Sequence, residues 1–213
     1  MKHKEISIAI GDSYIQGDLQ LISHSNSLVI FAHGSGSSRF SERNKLVADF
    51  LNRNNISTLL FDLLTVKEDE LDQETRLFRF DIPLLAKRLV MVTQKLKSYN
   101  DTSHLKLGYF GASTGAAAAL IAAAELPGDI LAVVSRGGRP DLAETSLPKV
   151  QAATLLIVGG LDFEVIKLNE YAYGQLHCIK EMFIIPGATH LFEERGTLEQ
   201  AAHVASEWFI KYL

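Results

Sequence analysis

The chain is poor in several features, and each lack excludes something. A single cysteine, Cys178, stands among 213 residues. No disulfide can therefore close within the chain, which agrees with a reducing compartment, and Cys178 reads as a packing residue. Lysine and arginine do not exceed the acids, since 21 against 25 leave a formal charge of -4. Nucleic-acid-binding domains usually carry a basic patch or a basic excess, so nucleic acid is not an expected partner. No run of about 18 apolar residues occurs; the nearest approach, residues 112–126, is interrupted by Ser113, Thr114 and Glu125. The first residues lack the apolar centre and cleavage site of a secretory signal. A cytoplasmic protein without membrane contact is expected. Repeats of solenoid period and low-complexity segments are also missing.

Apolar content of 47% and charged content of 22% match an ordinary globular chain, and the length fits one domain over residues 1–213. Residues 5–10 and 14–22 alternate apolar with polar side chains around Gly11, Asp12 and Ser13, which predicts an antiparallel hairpin. Six short, mostly apolar runs follow, at residues 28–32, 56–61, 105–110, 130–134, 153–158 and 181–186. Such runs are expected of strands covered on both faces. Between them lie segments of helical period: residues 42–52 with Leu46, Val47, Phe50 and Leu51; then Leu85, Leu89, Val92 and Leu96; then Leu198, Ala201, Ala205, Trp208 and Tyr212. Strands alternating with helices predict an α/β fold with a mainly parallel sheet, helices on both faces and an antiparallel hairpin in front. Residues 62–79, with the charge run 67–70, read as a connecting loop or short helix. They do not read as a linker, because the residues before them would make a poor independent core.

The most informative stretch is Gly111-Ala-Ser-Thr-Gly115, followed by four alanines. It fits Gly-X-Ser-X-Gly, in which a serine is held on a sharp turn between a strand and a helix. The flanking glycines leave room where the backbone doubles back. The alanines let the next helix lie close to the sheet, with its positive end towards Ser113.

A serine hydroxyl needs a base to take its proton and an acid to orient that base. In this motif class both follow the serine, acid first. Gly159-Gly-Leu-Asp162 and Gly187-Ala-Thr-His190 each end an apolar run, which puts Asp162 and His190 at the carboxyl edge of the sheet, where open α/β sheets build their sites. Glu164 and Asp141 are alternative acids, although Glu164 falls where a helix should begin and Asp141 where one could be capped. His33 precedes the serine and reads as a structural residue beneath its loop. A dinucleotide fingerprint at Gly34-Ser-Gly36 fails because Arg39 occupies the third glycine's place, and no Gly-Lys-Ser/Thr follows either glycine-rich stretch. No cofactor and no metal are expected.

With His33-Gly-Ser-Gly36, Gly111-Ala-Ser-Thr-Gly115, Gly159-Gly-Leu-Asp162 and Gly187-Ala-Thr-His190 in this order, the chain resembles the α/β-hydrolase superfamily over nearly its whole length. More narrowly it resembles the dienelactone-hydrolase-like group, and within it small bacterial proteins that also occur fused to phosphoribosyltransferase domains. Residues 110–118, 134–141 and 190–194 carry that likeness. It departs from dienelactone hydrolase proper at the nucleophile, which is cysteine there and Ser113 here.

The resemblance implies a sheet of about eight strands and a serine hydrolase of small esters, thioesters or lactones. Ser113 would be the nucleophile, His190 the base, Asp162 the orienting acid, and the amides of Ser35 and Thr114 the oxyanion donors. Acyl transfer, peptide cleavage or a non-catalytic binding role on the same fold are the alternatives. Only 18 residues, 135–152, separate two strands where many relatives insert a lid, so an open, shallow site without a large cap is expected. Arg39, Arg43, Arg136 and Arg139 follow strands on the same edge. Arg39, Arg136 and Arg139 are candidates for an acidic group on the substrate, against the commoner role of bracing carbonyls or pairing with nearby acids.

Overall fold

The computed structural model describes residues 2–213. Its chain order begins with β1 (Lys2–Ile10) and β2 (Ser13–Leu21), a hairpin turning through Gly11 at φ 55°. After β3 (Ser27–Ala32), α1 (Glu42–Arg53) and β4 (Ser57–Phe61) come α2 (Val66–Thr75), α3 (Ile82–Lys97), β5 (Lys106–Ala112) and α4 (Thr114–Glu125). The remainder is β6 (Ile130–Arg136), a 3₁₀ segment (Pro140–Lys149), β7 (Ala153–Gly159), α5 (Phe163–Gln175), β8 (Lys180–Ile185) and α6 (Thr197–Tyr212). All eight strands form one sheet in the order β1-β2-β4-β3-β5-β6-β7-β8. The first two strands run antiparallel to their neighbours, and every pairing from β4 onward through the sheet is parallel.

The alternation of side chains along the strands divides the core in two. Leu28 and Ile30 of β3 face a cluster with Leu85, Leu89 and Val92 of α3 and the alanines of α4. Val29 and Phe31 face the other, with Val47 and Leu51 of α1 and Ala201, Ala205 and Phe209 of α6. Helices therefore cover both faces, as an α/β pattern demands. On the second face Phe31 meets Phe110 at 4.8 Å between ring centres, and the buried Trp208 donates its indole N–H to the Ala153 carbonyl.

Of two expectations, the first holds in its short-helix form and the second changes. Residues 62–79 contain the regular helix α2, opened by a reciprocal cap in which Thr65 Oγ1 accepts from the Glu68 amide while the Glu68 carboxylate accepts from the Thr65 amide. Arg79 closes that connection by donating to Asp72 at 2.5 Å. Strand β8 was expected to be covered on both faces, yet Phe183 and Ile184 are each 37% exposed. It is the outermost strand, with β7 as its one neighbour in the sheet, so the packing around it ends there.

Candidate active site

Ser113 stands between β5 and α4 with φ 50° and ψ -124°, a backbone region that costs a side-chain-bearing residue about 1–3 kcal/mol. The two glycines make that turn possible by different exclusions. A Cβ on Gly111 would lie 2.4 Å from the Ala116 Cα, in the following helix, and one on Gly115 only 2.2 Å from the Ala32 carbonyl oxygen at the end of β3. The turn is further fixed by the Ser113 amide donating to the Arg136 carbonyl and by the Ser113 carbonyl accepting from Arg139. Gly34 passes so close that a Cβ there would sit 3.0 Å from the Ser113 Cβ.

Asp162 and His190 come together because their loops are stitched to each other. Gly160 donates to the Ile185 carbonyl and Leu161 to the Ala188 carbonyl. Gly159 permits this approach, since a Cβ on it would meet the Ala188 and Thr189 carbonyl oxygens at 2.5 and 2.6 Å. The outcome is His190 Nδ1 at 2.7 Å from Asp162 Oδ2, which leaves Nε2 on the far side of the ring. Glu194 braces the histidine's loop, accepting from the Thr189 amide and hydroxyl, and these bonds hold its carboxyl below the usual carboxylate range.

Ser113 and His190 line one cavity of about 210 Å³, together with Gly34, Ser35, Gly137 and Arg136 among others. Among the described residues no hydrogen bond joins the Ser113 hydroxyl to the imidazole. In an unliganded site of this kind, that bond often tightens only with substrate in place. The alternative acids are elsewhere: Glu164 opens α5 and reaches Lys167, and Asp141 pairs with Arg139.

The amide of Thr114 is the first of α4, a position without an intrahelical partner. The amide of Ser35 is engaged, donating to Thr114 Oγ1 at 2.9 Å. The sequence did not reveal this side-chain contact, because 79 residues separate its partners. Beneath the same loop His33 is buried and structural, as expected. Its Nε2 accepts from the Leu63 amide at 3.0 Å, so the proton is on Nδ1, which donates to the Gly34 carbonyl. Burial lowers its pKa and favours this neutral form, outweighing the backbone bond to Gly34.

The three candidate arginines part company. Arg39 donates its amide and guanidinium to Asp62, lies 3.2 Å from Asp18 through Nε, and stacks on Phe40. Arg139 forms a two-pronged pair with Asp141 at 2.9 and 2.8 Å, which raises its pKa. Only Arg136 of the three lines the Ser113 cavity. Ser37, Ser41, Arg43 and Asn44 complete that wall. Arg43 was legible as an arginine after the loop, whereas Ser41 and Asn44 signalled nothing beyond a helix start.

A parallel sheet led by an antiparallel hairpin, a strained serine at a strand-to-helix turn, and an aspartate–histidine pair on the loops after β7 and β8 define the α/β-hydrolase class. The chain is 55% identical to dienelactone hydrolase from Anabaena variabilis, whose crystal structure it matches with a TM-score of 0.98 over 100% of this chain and 98% of that one. It belongs to the dienelactone hydrolase family of α/β hydrolases. An esterase from Pyrococcus furiosus shares the fold at 18% identity, with a TM-score of 0.80 over 99% and 93% of the two chains. Curated relatives from Mycobacterium tuberculosis, provisionally named phosphoribosyl transferases, are 50% identical over all 213 residues. The chain spans about half the length of those relatives, 47%. No protein-family model matches it.

Proposed function

We propose that the chain is a serine hydrolase that cleaves small ester, thioester or lactone substrates through an acyl-enzyme on Ser113. The observation that carries this reading is the shared cavity of a strained Ser113 and a His190 whose Nδ1 is held 2.7 Å from Asp162. Asp162 accepts a hydrogen bond from the Nδ1–H, which keeps the proton on Nδ1 and leaves Nε2 unprotonated and able to act as a base. As the Ser113 oxygen bonds to the substrate carbonyl carbon, its proton passes to Nε2 and the carbonyl electrons move onto oxygen. When that tetrahedral species collapses, the carbon–oxygen or carbon–sulfur bond to the leaving group breaks, and His190 returns the proton to it. Water then repeats the sequence and releases the acid.

The oxyanion is assigned to the Thr114 amide and, on the opposing loop, to that of Ser35. The second assignment requires Ser35 to exchange its present acceptor, the Thr114 hydroxyl, for the charged oxygen. The exchange favours the transition state, because a bond to a developing charge is about twice as strong as one to a neutral hydroxyl. The small cavity and the absence of a large insertion between β6 and β7 favour short substrates over long-chain lipids.

A fluorophosphonate probe tests the assignment. It should label the wild-type chain and leave Ser113→Ala unlabelled, and p-nitrophenyl acetate turnover should disappear with the same change. Labelling of the variant at the wild-type rate would remove Ser113 from the mechanism. Alcohols or amines added as competing acceptors separate hydrolysis from acyl transfer.

A further inference from the structure

The wall of the Ser113 cavity carries more positive charge than hydrolysis of a neutral ester requires. Arg136, at the end of β6, is only 5% exposed. Its Nη2 donates to the neutral Oδ1 of Asn44 at 3.2 Å, its Cζ lies 5.6 Å from the centre of the Phe192 ring, and its Nε is buried without an acceptor. No carboxylate pairs with it among the described residues, in contrast to Arg39 and Arg139. Burial first, and the charge of Arg43 second, pull its pKa down to about 10, which still leaves it charged at neutral pH. An unpaired buried charge is expensive, and here one neutral acceptor and one aromatic ring are set against that cost, with no carboxylate.

The second guanidinium on this wall, Arg43, meets Glu193 only at 3.5 Å on the surface. Both belong to a built site, because Ser41 is the N-cap of α1 and Ser41, Arg43 and Asn44 bring the first turn of that helix, its positive end, to the cavity. Ser37 adds a further hydroxyl to the wall.

We propose that this wall is an anion subsite for a phosphate group, so that the substrate is a short phosphorylated ester with its phosphate on Arg136 and Arg43 and its carbonyl at Ser113. The proposal rests on the serine-hydrolase reading and narrows it to a substrate class. A carboxylate carries one charge and two oxygens and is satisfied by one guanidinium fork. A phosphate monoester carries up to two charges on three oxygens, which suits two guanidiniums, a helix end and hydroxyls. The phosphate is held and stays intact, while the bond that breaks is the acyl carbon–oxygen bond. With about 210 Å³ available, below the roughly 300–1,000 Å³ of pockets for drug-sized ligands, both acyl and alcohol parts must be small.

Three acetyl esters on one skeleton test this: 1-acetylglycerol 3-phosphate, neutral 1-acetylglycerol, and the acetyl ester of glycerate. The expected result is a kcat/KM for the phosphorylated ester at least about tenfold above both others, the size of one charge-assisted hydrogen bond. Inorganic phosphate should compete against p-nitrophenyl acetate. Arg136→Gln should lower the ratio of phosphorylated to neutral turnover about tenfold or more, and Arg43→Gln should lower it less. Equal turnover of the three esters, a preference for the carboxylate ester, or a proportional loss on all three in Arg136→Gln would overturn the proposal. If Arg136→Gln does not fold, Arg43→Gln and the wild-type panel still decide. If the wild type turns over no ester, the serine-hydrolase reading fails separately. Calorimetry with inorganic phosphate then upholds the subsite if wild type binds and Arg136→Gln does not, and overturns it if wild type does not bind.

Discussion

Helix α1 borders two cavities, and the larger is not the one that Ser113 and His190 line. The larger, about 540 Å³, is lined by Lys45, Ala48, Asp49 and Asn52 of α1 and by Asp18, Gln20 and Arg39 beyond it. Of its cations, Arg39 is paired with Asp18 and Asp62, and Thr58 donates to Asn52 across its wall. The smaller, about 210 Å³, holds a strained serine, a histidine fixed by an acid, and a buried arginine with no acid. Size therefore does not separate the two. What separates them is that the smaller one brings a strained backbone turn and a buried charge without a carboxylate partner to the same wall, and strain of that kind clusters at functional sites.

The largest effect that would break this contrast is a loss of rate confined to the smaller cavity. Asp162→Asn keeps the side-chain shape but replaces the acceptor of the Nδ1 proton with an amide that can hold the ring in the wrong tautomer. Its kcat on p-nitrophenyl acetate should fall by about 10⁴-fold. A fall of tenfold or less would show that Asp162 does not orient the base.

Next in size is a change to the backbone of the turn itself. Gly115→Ala puts a methyl group 2.2 Å from the Ala32 carbonyl oxygen and 2.5 Å from that of His33, both backbone atoms that cannot rotate away. The loss of stability should reach about 3 kcal/mol or more, read as a lower denaturant midpoint or as loss of soluble protein. Gly174, with nothing within 4 Å of its missing Cβ, is the internal control, because alanine there should be tolerated.

What could be read from the sequence follows the same division. The eight strands were legible from alternating and apolar runs, and the elbow from its glycines, because close backbone approach permits only glycine at positions such as 111 and 115. Asp162 and His190 were legible as partners because each ends an apolar run at the same sheet edge. The hydrogen bond from Ser35 to Thr114 and the orphaned Nε of Arg136 were not, since both depend on side-chain directions set by packing from distant segments. For the same reason Arg39, Arg136 and Arg139 were indistinguishable as loop arginines. Their difference lies in Asp62 and Asp141 standing beside two of them, with no acid beside the third. The exposed face of β8 was hidden because an apolar run such as residues 181–186 does not reveal whether its strand is central or outermost.

The smallest effect, and the sharpest on the two cavities, concerns Arg39. Its side chain is 17% exposed and its partners Asp62 and Asp18 are 22% and 25% exposed, between a surface pair worth about 0–1 kcal/mol and a buried one whose breakage costs about 3–5 kcal/mol. Arg39→Gln should therefore destabilise the chain by about 1–2 kcal/mol, which for a domain of this size is a fall of about 2–8 °C in Tm. Because Arg39 lines the larger cavity and not the smaller, its replacement should leave kcat/KM on p-nitrophenyl acetate within about twofold. The tenfold change in kcat/KM that one charge-assisted contact to substrate typically carries should be missing. A change of that size with Tm unmoved would mean that the paired arginine acts on substrate, and the distinction between neutralised and orphaned charge would no longer mark the site.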